Sequence, residues 1–157
     1  MQIEAEQAFT LPYPGTSAQA LAFLRRPGQA LSGLRFLRDL TTEGDSVRAV
    51  LLVNVPLLGE IDLPMFSLLV PTAEGARLEA QPLEGERAWI ELSGNGAAEG
   101  MQLRYSFRFR AHIEVPSAEK WGGAAFEKMV RAAAERTLSR LARELPAGIA
   151  GAMTEEL

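Results

Sequence analysis

Between Leu34 and Val115 the chain runs through six short segments of strand character separated by gaps of only a few residues, and this spacing constrains the fold more than any other feature. The segments are "LRFLRDL", "SVRAVLLVNVP", "EIDLPMFSLLV", "RLEAQ", "AWIELS" and "MQLRYSFRFRAHIEV", divided by "TTEGD", Gly59, "PTAEGA", "LEGER" and "GNGAAEG". Parallel neighbours need a crossover of a dozen or more residues, which no gap here can hold, so the spacing predicts an antiparallel meander. Pro64, inside "EIDLPMFSLLV", marks a bulge or an edge.

The flanks add one strand and the helices. In "IEAEQAFTL", Ile3, Ala5, Gln7, Phe9 and Leu11 alternate with Glu4, Glu6, Ala8 and Thr10, the period of a half-buried strand. After "YPG", Thr16 and Gln19 form a capping-box start to a short helix carrying Ala20, Leu21, Phe23 and Leu24. Pro27 and Gly28 end that helix, and "QALSGL" has room for one or two further turns. Near the C-terminus, Phe126, Val130, Ala133, Ala134, Thr137, Leu138, Leu141 and Leu145 fall on one helical stripe, with Lys128, Arg131, Glu135 and Ser139 elsewhere. Gly122 and Gly123 disfavour helix, so the long helix is predicted to begin near Ala124. Pro146 and Gly148 are predicted to stop it, leaving residues 1–146 as one domain and 147–157 as a loosely ordered tail.

Composition bounds the chemistry. A chain of 157 residues with 47% hydrophobic and 23% charged residues is that of a folded domain with one substantial core. The absence of cysteine excludes disulfides, thiolate catalysis, iron–sulfur clusters and Cys-based zinc sites, and a single histidine removes most other metal chemistry. No metal and no cofactor are expected. The net charge of −4 leans against nucleic acid and anionic membranes. The N-terminus has no basic or apolar signal-peptide region, and no segment reaches the roughly 20 apolar residues of a membrane span, so a cytoplasmic protein is expected. Of 16 basic residues only Lys120 and Lys128 are lysines, and the chain is rich in Ala, Leu and Gly, which suggests a GC-rich bacterial genome.

The order of strand, two short helices, six strands and one long terminal helix, together with "WGGAAFEKMVRAAAERTLSRL", resembles the START-like superfamily, also called SRPBCC or helix-grip. The resemblance spans Ile3 to about Leu145 and points to an uncharacterised bacterial family within it. It implies an α+β fold: a curved seven-stranded antiparallel sheet wrapped around a long C-terminal helix, with two short helices after the first strand. It also implies an apolar cavity of the kind used for lipids, sterols, polyketides or plant hormones. Other branches are cyclases or hydrolases, recruit chaperones or transport quinones. No catalytic motif is common to them, so no catalytic residue is carried over.

Residue parity supplies the candidate lining. On the strands it selects Gln7, Phe9, Leu51, Val53, Leu103, Tyr105, Phe107 and Phe109, and on the facing helix Phe126, Val130, Ala133, Ala134 and Thr137. Small helix residues opposite a curved sheet leave room for a ligand, with Tyr105, Gln7 and Thr137 as polar handles. Equally, small residues let helix and sheet approach closely, with those polar atoms paired to backbone. The expected function is non-enzymatic binding of a hydrophobic small molecule, lipid, quinone or polyketide-like. The alternatives are a cyclase- or dehydratase-type enzyme using the same cavity, or an interaction module docking through Trp89 or the sheet's outer face, a homodimer included.

Other features carry less. "GNGAAEG" places Glu99 where a GxGxxG loop needs its third glycine and is followed by a strand, so a hairpin loop is predicted. His112 shares parity with Arg108 and Arg110, away from the apolar face. Glu4, Glu6, Glu60 and Asp62 face solvent by the same rule. "MQLRYSFRFRAHIEV" mixes arginines with aromatics as an RNA platform does, but alternation sends the rings inward and the arginines outward, where Glu91 or Glu79 can balance them. Nucleic-acid binding is not expected.

Overall fold

In the computed structural model, which describes residues 1–114 and 123–156, each alternating segment forms a strand. The elements are β1 (Gln2–Pro12), α1 (Ser17–Leu24), α2 (Pro27–Ala30), β2 (Leu37–Glu43), β3 (Ser46–Val55), β4 (Gly59–Pro71), β5 (Gly75–Ala80), β6 (Ala88–Glu99), β7 (Gln102–Ile113), α3 (Ala124–Arg143) and α4 (Leu145–Glu156). Pro116, Ser117, Trp121 and Gly122, which entered the reading of the terminal helix, lie outside the described residues. All neighbours in the sheet are antiparallel, in the order β1-β7-β6-β5-β4-β3-β2. The first strand therefore closes on the last, and α1 and α2 carry the chain to the opposite edge.

Local chemistry accounts for most boundaries. The capping box forms as predicted, with the Gln19 amide donating to Thr16 Oγ1 at 3.1 Å and the Thr16 amide to Gln19 Oε1 at 2.9 Å. Pro27 begins α2 at its first turn, where a missing N–H costs nothing. Strand β2 starts at Leu37 rather than Leu34, because Leu34 closes a turn onto the Leu31 carbonyl and is buried. Pro64 sits in register opposite Val50 on the part of β4 beyond the reach of β5, which pairs only with Ser67–Pro71, so the strand is locally an edge there.

Alternation resolves the sheet into two faces. Ile3, Ile90, Leu92, Leu103, Phe109, Leu51, Leu63 and Met65 are buried on the inner face, where α3 packs across β1 and β3. Ser67 joins them at 0% exposure, its hydroxyl donating to the Leu92 carbonyl at 2.6 Å. The β5–β6 ladder ends at Leu78 opposite Gly94, so this hydroxyl serves a carbonyl that β5 does not reach.

Two expectations are corrected. "GNGAAEG" is not a loop: β6 runs through Glu99, and the hairpin turns on Gly100 and Met101, with Gly100 at φ +60°. The tail is not loose either. Residues 145–156 form α4, with Leu145, Ile149, Ala152 and Met153 buried against the core. Pro146 falls in the first turn of that helix, where proline is tolerated. Gly148 allows close docking rather than a stop: a Cβ there would clash with Leu34 Cδ2, and one on Gly33 would clash with the Gly148 carbonyl oxygen.

Candidate functional site

The inner face thins where β5, β6 and β7 meet. Register aligns Phe9, Tyr105, Gly96 and Ala76 in one row, and Gln7, Phe107, Gly94 and Leu78 in the next. The glycines leave space that α1 enters, so that a Cβ on Gly96 would lie 2.7 Å from Leu24 Cδ2 and 3.0 Å from the Tyr105 ring. Beneath α1 and α2 an apolar cavity of about 30 Å³ remains, lined by Leu24, Pro27, Leu31, Leu78, Gly94 and Tyr105 among others. That volume holds about one or two water molecules. Arg25 fastens the cover, its guanidinium donating to the Gly75 carbonyl at 3.1 Å and the Thr72 carbonyl at 2.7 Å.

Tyr105 is the chemically distinctive residue of this cavity. It is 5% exposed, and its hydroxyl has no hydrogen-bond partner among the described residues. Burial, with a smaller contribution from nearby Tyr13, pushes its ionisation well above the usual tyrosine range. The hydroxyl therefore stays a neutral donor at any physiological pH. Its ring stacks with Phe9 at 5.4 Å and Phe107 at 5.5 Å, which fixes its direction.

The residues expected to share one lining are divided. Tyr105 and Phe107 line the cavity under α1–α2, with Phe9 stacked on both and half-buried Gln7 opposite Phe107. Val53, Ala134 and Thr137 surround a separate void of about 10 Å³ under α3. Leu51, Leu103, Phe109 and Val130 are each 0% exposed and line neither void. Phe126 is half-buried, and Ala133 is buried in the core beneath α3 while also reaching the floor of the groove beside Pro56. The space opposite α3 is thus filled by side chains, because its alanines let helix and sheet come together. Thr137 is not a free handle, since its hydroxyl donates to the Ala133 carbonyl at 3.0 Å.

Sequence reasoning missed Leu24, Pro27, Leu31, Leu78, Gly94 and Gly96. The available signal was the spacing of Gly94 and Gly96, two apart on the inward parity of a strand. Read as loop glycines, they give no pointer to a helix lying over them.

The outer face is a field of ion pairs. Arg108 meets Glu6 at 2.6 Å and Arg110 meets Glu4 at 2.7 Å, a hydrogen bond that raises the Arg110 pKa further. Glu91 accepts from His112 at 2.8 Å, and Trp89 stacks on that imidazole at 4.0 Å. Glu79 instead pairs with Arg77 on its own strand, because β5 is not adjacent to β7. The aromatics of β7 are all on the other side. Among the described residues, no group of acidic and histidine side chains is placed to hold a metal, and no helix is long and apolar enough to cross a membrane.

This layout is a helix-grip, START-like fold. Among solved structures, the Zhui aromatase/cyclase from Streptomyces sp. R1128 is similar at a TM-score of 0.60 and 14% identity, over 100% of this chain and 97% of that one. TTHA0849 from Thermus thermophilus matches at a TM-score of 0.56 and 14% identity, over 97% and 99% of the two chains. The di-domain ARO/CYC StfQ of the steffimycin biosynthetic pathway matches at 0.55 and 13% identity, with 98% of this chain aligned to 52% of that one. Likeness at these identities is a likeness of fold. No curated protein matches in sequence. A family model described as protein of unknown function (DUF3809) matches residues 8–143, and the chain belongs to that family.

Proposed function

We propose that the chain binds a small, mainly apolar molecule beneath α1 and α2, oriented by a hydrogen bond from Tyr105. The observation that carries this reading is the buried Tyr105 hydroxyl, without a partner among the described residues, in a mainly apolar cavity whose other polar lining residues are Arg77 and Asn95. Such a donor is costly unless something else accepts from it, and binding sites are mostly apolar with a few polar groups that set orientation. A cavity of about 30 Å³ is some tenfold smaller than a drug-sized pocket, so admission requires α1 and α2 to lift. Those helices are short, and their polar hold on the sheet is the Arg25 fork on Thr72 and Gly75. With α1 and α2 lifted, the ligand classes such a site would suit are lipids, quinones and polyketide-like aromatics.

A cyclase-type activity is the second reading, favoured by the same neutral Tyr105 donor, which suits the polarising of a substrate carbonyl. It also needs a base, and the residues lining the cavity include no carboxylate and no imidazole. Binding therefore leads. Titrating labelled protein with menadione, palmitate and 2-naphthol is expected to shift the Gly94, Gly96 and Tyr105 resonances with at least one probe. Tyr105→Phe should weaken that probe by about three- to tenfold, the worth of one neutral hydrogen bond. Absence of any shift, together with no retained small molecule in native mass spectrometry of protein from its own host, would overturn the reading.

A further inference from the structure

The arginines of this chain differ in what they meet. On the sheet's outer face Arg77, Arg104, Arg108 and Arg110 each meet a carboxylate at 2.6–2.8 Å, while Arg25 and Arg131 donate to main-chain carbonyls. Arg136, Arg140 and Arg143, like Arg26 and Arg35, have no such partner in the described structure, but only these three share a helix face. All three line one open groove of about 590 Å³ between α3 and the turn at Pro56, together with Ser139 and the carboxylate of Glu135.

Helical geometry puts them on one face. Spacings of four and three residues repeat the α-helical turn, and seven residues at 1.5 Å rise spread the guanidiniums over roughly 10 Å. Attraction to the helix C-terminus accounts for Arg140 and Arg143, which lie in the last turn, but fades before Arg136. Nor does the cluster reflect a generally basic chain, since the net charge is −4. Unpaired guanidiniums gathered in a groove are a match for phosphate oxygens, which they bind in bidentate fashion. The groove's volume lies in the range of small-molecule sites, whereas a protein partner needs about 800 Å² of surface.

We propose that this groove binds a small molecule carrying more than one anionic group, of the diphosphate class, with Arg136, Arg140 and Arg143 as its ligands and Ser139 as an added donor. The site shares no lining residue with the Tyr105 cavity and stands independently of it.

Calorimetric titration of the full chain with inorganic pyrophosphate at low salt is the test. Binding is expected, weakening as salt approaches physiological strength. Arg136→Gln should reduce affinity about tenfold and Arg136→Lys much less, for a charge-assisted bond. The double variant Arg136→Gln/Arg140→Gln should lose binding, and Arg108→Gln on the outer sheet face should leave it unchanged. These side chains are exposed, and circular dichroism verifies that each variant is folded. ADP and geranyl diphosphate are run as parallel arms, and the tighter of the two names the nucleoside or isoprenoid source of the diphosphate. No binding of millimolar pyrophosphate, or equal affinity in the double variant, overturns the proposal. So does binding of poly-glutamate that pyrophosphate fails to displace, which would mark a surface for an acidic protein.

Discussion

A phenol buried without a partner has given up its bonds to water and gained nothing in return, at a cost of about 1–3 kcal/mol. Tyr105 is in that position, whereas Ser67 and Thr137, equally buried, each donate to a carbonyl. Tyr105→Phe is therefore expected to raise stability by about 1 kcal/mol at neutral pH while weakening ligand binding, seen as a higher urea midpoint; a clearly lower midpoint would mean that the hydroxyl is satisfied in solution. Alkaline pH gives an independent check. Burial raises the folded-state pKa above the usual 10.0, so the folded chain keeps a proton that the unfolded chain releases. This stabilisation is complete below pH 10.0 and is lost as pH rises toward the folded value, so the phenylalanine variant should lose less stability between neutral pH and pH 11. That Tyr105 points inward was legible from alternation, which is a property of neighbouring residues. That no described residue accepts from it depends on α1 and β6, and was not.

At the scale of elements, glycine explains why part of a strand reads as a loop. Glycine signals a turn through its freedom at positive φ, and Gly100 uses that freedom. Gly75, Gly94 and Gly96 are not at positive φ; they serve by lacking a Cβ where backbone or helix comes close. The two roles cannot be told apart along the chain, because the second is defined by what lies across the space. Gly75→Ala would drive a Cβ into the Gly96 carbonyl oxygen, a backbone atom with little room to yield. Gly96→Ala meets chiefly the flexible end of Leu24. The expected outcome is a loss of about 3 kcal/mol for Gly75→Ala against about 1 kcal/mol for Gly96→Ala, measured by chemical denaturation. Gly96→Ala should nonetheless abolish probe binding under α1, because its methyl enters the cavity.

For the molecule as a whole, α4 completes the core. Leu145, Ile149, Ala152 and Met153 are at most 4% exposed, and burial of each large apolar side chain contributes about 1.5–3 kcal/mol. Ending the chain after Glu144 removes several kcal/mol from a domain whose total stability is about 5–15 kcal/mol. The truncated chain is expected to melt far below the full one, or to lack a cooperative transition, by circular dichroism; an unchanged melting temperature would show that α4 is dispensable. From residue order alone came the seven strands, their antiparallel meander, the capping box and the inward row of β7, because alternation, helical period and hairpin length are set between near neighbours; the helix-grip layout was what the resemblance to START-like chains implied. The division of the cavity, the solitary Tyr105 hydroxyl, the crossing of Gly33 with Gly148 and the shared groove of three arginines arise where distant segments meet. Volume, hydrogen-bond satisfaction and charge pairing exist only across those contacts, which chain order does not encode locally.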